Sequence, residues 1–129
     1  MKHMTKGPVL IVVAACVLLA VAAPLFAHHG TAAFDTTKTV TVTGVVKEFV
    51  FVNPHAQIYF ECKNDKGEPE PWQGELTAPT KLSRAGWTKN TLKPGDTITA
   101  SGNVLKTGAH TMWIRKLMGP SGELQLAEE

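Results

Sequence analysis

The chain has 129 residues, the length of one small domain once a targeting segment is set aside, and its formal net charge is +2. Lys2 and Lys6 account for that excess, so residues 28–129 carry no net charge. Because nucleic-acid binding depends on a basic surface, nucleic acid is not an expected partner. Only Cys62 lies beyond the apolar N-terminal run, so the domain must be held by its core rather than by an internal disulfide.

The first 27 residues resemble a secretory signal peptide. A basic start is followed by an apolar run over residues 9–27, and cleavage after Ala27 predicts a periplasmic or secreted domain. Two alternatives stay open. The run could remain as an N-terminal membrane anchor, since about 18 apolar residues span a bilayer, or Cys16 could be lipidated after cutting at the lipobox-like string VAAC. The sequence thus divides into a signal peptide (1–27), an N-terminal tail (28–38), a β domain (39–126) and a C-terminal tail (127–129).

Two runs with a period of two predict the first strands. Residues 39–52 are rich in Val and Thr and form the first strand, in which Gly44 marks a bulge or bend. Asn53 and Pro54 end it, because proline cannot donate to a strand ladder. Residues 57–63 form the second strand, with Cys62 on the core face as a small hydrophobic residue.

A short helix interrupts the remaining strands. The string APTKLSRAGW predicts it, with Thr77 as its cap, Pro79 in its first turn and Gly86 at its end. Leu82 and Ala85 are expected to face inward. The later strands are predicted at 72–76 (after a polar turn), 97–105 and 111–118, with a short one at 123–126.

The element order β-β-β-α-β-β is that of the OB-fold, a partly open five-stranded Greek-key barrel. The expected class is therefore mainly β. It is a five-stranded OB-like β-barrel with one short helix between strands 3 and 4, preceded by an N-terminal signal helix.

Two histidines, His28 and His29, directly follow the predicted cleavage point. If the chain is cut after Ala27, the amine and imidazole of His28 can close a chelate ring on a metal, and His29 adds a second imidazole. Such nitrogen ligands suit copper, nickel and zinc. The pair predicts a metal site; the alternative is a flexible polar tail that assists cleavage.

Residues further along the chain extend the metal hypothesis. His55 follows the first strand and His110 precedes the fifth, so the loops of an OB-fold would place both on one rim. Met112 would add a thioether suited to Cu(I). Alternatively, Met112 fills the core and both histidines are ordinary loop residues. The length of the first strand is an objection to His28 reaching His55, since the tail enters that strand at its far end.

The tryptophans are expected to pack in the core and at the barrel edges, with an aromatic ligand platform as the alternative: Trp72, Trp87 and Trp113. Asn53 and Trp87 are the candidate positions for an organic ligand. The sequence has no nucleophile elbow, phosphate loop or CxxC motif, and its strand glutamates show no predictable pairing. The chain is therefore not expected to be an enzyme.

The strings AHHG, AFD, VTVTGVV, NPHA, RAGWT and LKPGDTIT together closely resemble a family of exported bacterial proteins known as domain of unknown function family 6152. The likeness covers residues 27 to about 126. It implies a small secreted β-barrel with no assigned activity. The family's signature positions fall on His28, His29, Phe34, Asp35, Asn53, Pro54, His55, Gly86, Trp87, Pro94, Gly95 and Asp96. His110 and Met112 lie outside that pattern.

Two hypotheses about function follow. The leading one is a binding module that holds a transition metal, copper before zinc, through His28, His29 and His55. The second is a metal-free structural or interaction protein of the envelope, whose barrel binds a protein, a peptide or an envelope component. The expected partner is an unknown envelope protein or a small ligand. Membrane contact is expected only through an uncleaved leader.

Overall fold

The computed structural model describes residues 30–127 as six β-strands, one α-helix and one 3-10 turn. The elements are β1 (Val40–Val50), β2 (Gln57–Lys63), β3 (Pro69–Glu75), α1 (Pro79–Arg84), β4 (Thr97–Val104), β5 (Thr111–Gly119) and β6 (Gly122–Leu124). The predicted signal helix, Cys16, His28 and His29 lie outside the described residues. Within residues 30–127, no helix has the length and apolarity needed to cross a membrane.

Strands β1–β5 close into a barrel, so the prediction of a mainly β fold with five barrel strands and one short helix is confirmed. The strand order is β3-β2-β1-β4-β5-β6. Neighbouring strands are antiparallel, and a parallel pairing of β3 with β5 closes the barrel. The closure consists of the pairs Gln73–Thr111, Gly74–Met112 and Glu75–Trp113. Glu75 and Trp113 therefore lie side by side on neighbouring strands.

Strand β1 changes partner along its length, and a glycine permits the change. Residues 40–45 pair with β4, and residues 44–50 pair with β2. A Cβ on Gly44 would lie 2.6 Å from the carbonyl oxygen of Glu61, so only glycine lets β2 approach this closely. The register shift itself falls between Val46 and Glu48. Gly44 thus marks a close backbone approach, and the bulge follows it.

Strand β3 begins at Pro69, three residues before the predicted start at Trp72. The polar turn predicted before Trp72 therefore included residues that belong to the strand. Pro69 and Pro71 belong to the strand and pair with β2. Closure with β5 starts only at Gln73, so the first half of β3 is an open edge. Proline is tolerated at such an edge because no ladder bond is required of its nitrogen. The two prolines also protect the edge from pairing with a strand of another molecule.

Helix α1 ends as predicted, and its start differs from the prediction. Gly86 follows the helix with a φ of +90°, the left-handed conformation that glycine adopts without strain. The N-cap residue is Ala78 rather than Thr77, and it makes no side-chain capping bond. Leu82 is buried as predicted, but Ala85 is exposed. The reason is that Ala85 is the C-cap residue, beyond the last helical turn.

Side chains from all five barrel strands and α1 form one core. Its largest fully buried members are Phe60, Ile58, Leu76, Leu82, Ile98, Met112, Leu117 and Val46. Trp72 and Trp87 belong to the same cluster, whereas Trp113 is buried outside it. All three tryptophans are thus buried packing residues, as expected from the sequence, and they do not form an exposed aromatic platform.

The N-terminal tail folds onto the barrel. A 3-10 turn at Thr31–Ala33 leads to Phe34, which is only 3% exposed. Two backbone bonds tie the tail to the β4–β5 hairpin. The N–H of Asp35 donates to the Val104 carbonyl (2.8 Å), and the N–H of Lys106 donates to the Ala33 carbonyl (3.1 Å). The tail therefore continues the line of β1 past the end of β4 to the hairpin loop.

Asp35 fixes the turn between the tail and β1. Its carboxylate accepts bonds from the hydroxyl (2.5 Å) and the N–H (3.0 Å) of Thr37. These bonds, the hydroxyl's first, hold the pKa of Asp35 below its ordinary value, and the Lys38 ammonium acts in the same direction. Because folding lowers this pKa, the stabilisation is present above the ordinary pKa and is lost as the pH falls through the lowered one.

We expect the Cys62 thiol to be poorly reactive in the folded protein. Its side chain is buried on the core face of β2, and burial raises the pKa of the thiol, with the Glu70 carboxylate adding to the effect. Since the thiolate is the reactive form, labelling with an aromatic disulfide reagent at about pH 8 should be roughly tenfold slower, or more, than in urea-unfolded protein. Equal labelling rates in the two states would contradict the burial of this residue.

Candidate functional site

His55 lies in the loop between β1 and β2, where the Asn53–Pro54 peptide bond is cis. Its Nδ1 is hydrogen-bonded to Oε1 of Glu75, the last residue of β3. The β2–β3 register explains this contact, because Gln57, two residues after His55, pairs with Glu75. The His55 side chain is 35% exposed and that of Glu75 is 17% exposed. Within residues 30–127, Nε2 of His55 has no hydrogen-bond partner.

Trp113 joins the histidine loop to the N-terminal tail. The His55 ring stands edge-on to the indole, with ring centres 5.2 Å apart and planes at 80°. Phe34 packs against the same indole at 6.1 Å. Such aromatic pairs contribute roughly 0.5–1.5 kcal/mol beyond their buried area. The N-terminal tail and the His55 loop therefore both pack against the same side chain of β5, that of Trp113.

Asn103 secures the point where the tail enters β1. It is buried, and its amide nitrogen donates to the carbonyl of Lys38 (2.8 Å). Its amide oxygen accepts a bond from Nε of Arg115 on β5 (3.2 Å). A buried amide whose donor and acceptor are both satisfied fixes the groups around it. This bond pair fixes the tail relative to the strand that carries Trp113.

A second histidine–carboxylate pair joins His110, in the hairpin loop that precedes β5, to Glu70 on β3. The ring of His110 stacks on Trp72, with centres 4.8 Å apart and planes at 13°. Glu70 accepts a bond from the Trp72 indole N–H (3.0 Å), and its other oxygen lies 3.6 Å from Nε2 of His110. The carbonyl of His110 accepts a bond from the N–H of Gln73 (2.9 Å), at the start of the β3–β5 seam. We call this group the His110 cluster (Glu70, Trp72 and His110).

The structure does not bring His55 and His110 together on a shared site. Each pairs with its own carboxylate, and Glu70 and Glu75 are five residues apart on β3, about 16 Å along an extended strand. Met112 is fully buried in the core, so its thioether does not reach a site beside His110. The two loop histidines therefore belong to separate sites.

The two candidate positions for an organic ligand have different surroundings. Trp87 is buried, its N–H donates to the Gln125 carbonyl (2.7 Å), and its ring packs on Phe49. These contacts explain Trp87 as a packing residue. Asn53 is exposed in the same loop as His55.

Sequence reasoning missed the partners of both histidines. Glu75 is 20 residues from His55, and their contact depends on the β2–β3 register. The packing of Phe34 on the barrel could have been predicted from the sequence, since Phe34 is a lone aromatic residue in a polar tail. Among residues 30–127, no three His, Cys, Asp or Glu side chains converge on one point. A metal held at His55 would need ligands from outside this part of the chain.

Comparisons with known proteins define the family. The model of a family of unknown function, DUF6152, matches residues 15–113. A search of curated proteins gave no match. Among solved structures, a complex of TiaS with a transfer RNA and ATP is similar at 20% identity and a TM-score of 0.44, covering 66% of this chain and 18% of that one. The ZRD-deleted mutant of TiaS in complex with agmatine is similar at 16% identity and a TM-score of 0.43. The match covers 71% of this chain and 25% of that one. The chain thus corresponds to a quarter or less of those proteins.

Proposed function

Because the chain belongs to this family of unknown function, its own residues must carry the proposal, and we propose that it is an exported copper-binding module. One Cu(II) ion is held between the N-terminus of a chain cut after Ala27 and the imidazole of His55. The ligands are the amine and imidazole of His28, the imidazole of His29 and Nε2 of His55. The role is binding, without a chemical step. The His55–Glu75 pair is the observation that carries the proposal.

The pair prepares His55 as a ligand. With Nδ1–H donating to the Glu75 carboxylate, the neutral imidazole keeps its lone pair on Nε2, which is the atom left without a partner in residues 30–127. Metal-binding histidines characteristically donate their other ring nitrogen to a carboxylate, which fixes the tautomer and raises basicity. The edge contact with Trp113 also restrains the ring.

The path of the tail supports a site shared with the N-terminus. Phe34 and His55 both contact Trp113, so their ring centres are at most about 11 Å apart. Gly30 lies four residues before Phe34, with the 3-10 turn at Thr31–Ala33 between them, and His28 and His29 add two residues, which reach up to ~7 Å when extended. The contacts of Phe34 and His55 with one indole show that β1 does not hold the tail and the His55 loop at opposite ends of the barrel, and they support this proposal.

The donor set favours copper. An amine and imidazole nitrogens suit Cu(II), and a given set of nitrogen ligands binds Cu(II) more tightly than Zn(II). Oε1 of Glu75 is hydrogen-bonded to Nδ1 of His55, on the side of the imidazole away from Nε2, so the proposed ligands are all nitrogen atoms. Zinc is the second candidate for the same ligands.

A copper titration tests the proposal. The protein is exported with its own leader, its N-terminus is sequenced, and Cu(II) is titrated calorimetrically against a weak competing chelator. We expect one tight site per chain, and His55→Ala should weaken it roughly tenfold or more. His110→Ala is the matched control, because it removes another exposed histidine paired with a β3 glutamate, and it should leave the tight site unchanged.

Two results would contradict the copper proposal. One is an unchanged affinity in both His28→Ala and His55→Ala. The other is a chain that begins at His28 and binds no copper. A metal-free protein that co-purifies with one envelope component would instead favour the interaction-protein hypothesis.

Replacing Glu75 should weaken copper binding without unfolding the protein. Glu75→Gln keeps the size of the side chain but removes the charge that supports the imidazole. Loss of such a partner lowers metal affinity by roughly 10–100-fold. Calorimetry measures the affinity, and a thermal melt checks the fold. Glu70→Gln makes the same change five residues away, so an equal loss in that variant would refute the assignment of Glu75 as a positioning residue.

A further inference from the structure

We propose that a cavity at the end of the β3–β5 seam binds a small carboxylate with an apolar body, such as an arylalkanoate. The cavity has a volume of about 280 Å³ and lies where the chain leaves β3 for α1. At roughly 30 Å³ per water molecule, that space holds about nine waters, or an organic molecule of about ten non-hydrogen atoms. Neither Asn53 nor Trp87, the candidate ligand positions from the sequence, lines it.

Much of the lining of this cavity is apolar. Leu76 follows β3, Leu82 belongs to α1 and Ile114 to β5, and each is at most 3% exposed. Leu126, which follows β6, adds a half-buried side chain. Ligand pockets are typically lined by hydrophobic side chains together with a few placed polar groups. The apolar lining therefore suits the hydrocarbon part of a ligand.

Trp113 also lines the cavity, and its indole N–H has no hydrogen-bond partner in residues 30–127. The other two indoles are different. Trp72 donates to Glu70 in the His110 cluster, and Trp87 donates to a backbone carbonyl. Trp113 is only 6% exposed, and the N–H of a buried tryptophan usually has a partner. In residues 30–127 no fully buried side-chain nitrogen lacks one, so this N–H faces accessible space, where a ligand oxygen can accept its bond.

Two further groups give the cavity the character of an anion site. Thr77 contributes a hydroxyl that makes no hydrogen bond in the described residues. Arg115 contributes a guanidinium, and the bond from its Nε to Asn103 (3.2 Å) helps to position it. Among the described residues that line the cavity, Arg115 is the one with a charged side chain. A carboxylate complements this set, because it accepts hydrogen bonds and carries the opposite charge.

The combination of an apolar lining and an anion site selects among ligands. Inorganic phosphate has no apolar part, so it leaves the hydrophobic side chains uncovered. A neutral molecule of the same shape covers them, but it makes no charge-assisted hydrogen bond. A carboxylate with an apolar body uses both parts of the cavity.

A titration with hydrocinnamate tests the site. The protein is kept copper-free with a polyamine chelator, and ¹⁵N NMR follows the three indole N–H signals, of which Trp113→Phe identifies one by removing it. We expect the Trp113 signal to shift and to saturate at one ligand per chain, while the signals of Trp72 and Trp87 stay in place. Hydrocinnamamide, the neutral amide of the same acid, should bind roughly tenfold more weakly or worse.

Three variants locate the anion site. Arg115→Gln removes the charge and should weaken hydrocinnamate binding roughly tenfold or more. Thr77→Val removes the hydroxyl at nearly constant size and should weaken binding severalfold. Lys116→Gln is the matched control, because Lys116 is the next residue of β5, is ion-paired with Glu123 and does not line the cavity. It should leave the affinity unchanged.

The proposal is overturned by any of three results. These are the lack of a saturable shift of the Trp113 signal at millimolar hydrocinnamate, equal binding of acid and amide, and equal affinity in Arg115→Gln and Lys116→Gln. A thermal melt of each variant checks the fold, and Thr77→Val is a second test that leaves the contact of Arg115 with Asn103 in place. Because copper is absent from the titration, these results do not depend on the copper site.

Discussion

Phe34→Ala should both destabilise the barrel and weaken copper binding. Phe34 is 3% exposed and packs on Trp113, so truncation opens a cavity beneath the N-terminal tail. Such a change typically costs about 3–5 kcal/mol of unfolding free energy. Because Phe34 also holds the tail beside His55, its loss lowers the effective concentration of the N-terminal ligands. We therefore expect copper affinity to fall roughly tenfold or more.

Urea denaturation and copper calorimetry measure the two effects of Phe34→Ala. Leu92→Ala is the control, because Leu92 is a buried core residue outside the Phe34–Trp113–His55 contacts. It should lower stability by about 2–5 kcal/mol and leave copper affinity unchanged under folding conditions. A Phe34→Ala protein with wild-type stability would show that the tail does not pack on the barrel.

Gly102→Ala should be severely destabilising, although it adds a single methyl group. A Cβ at this position would lie 2.0 Å from the carbonyl oxygen of Trp113, which is backbone and cannot rotate away. Gly102 faces Ile114 at the irregularity in the β4–β5 pairing, where the two strands approach closely. Strand β5 must move, and we expect a loss of about 3 kcal/mol or more, or failure to fold.

The matched control for Gly102→Ala is Gly30→Ala. Gly30 has a φ of −63°, and a Cβ there would meet no atom within 4 Å. The same substitution should therefore be close to neutral at Gly30. Denaturant midpoints of the two variants provide the comparison. Similar midpoints would contradict the close approach of β4 and β5, and with it the position of Trp113 under His55.

The strands with clear alternation could be predicted from the sequence. In β2, the core positions Ile58, Phe60 and Cys62 alternate with polar ones, and its predicted limits agree with the structure. The start of β3 could not be predicted in this way, because Pro69 and Pro71 are typical of turns and are accepted in this strand only at an open edge. Whether an edge is open is a property of the whole sheet.

The candidate sites could be predicted only in part, because their contacts depend on register. His55 was identified from its place after β1, but its carboxylate partner is set by the pairing of Gln57 with Glu75. The pairing of His110 with Glu70 likewise requires the β3–β5 closure. A single sequence contains no local pattern that specifies these contacts.

The most direct test of the copper site uses protein taken from its native envelope. N-terminal sequencing and metal analysis of the same sample examine the cleavage point and the bound ion together. The account predicts a chain that begins at His28 and carries one copper ion, which is lost in His55→Ala. A chain that begins at His28 but contains no copper, or that keeps its copper without His55, would contradict it.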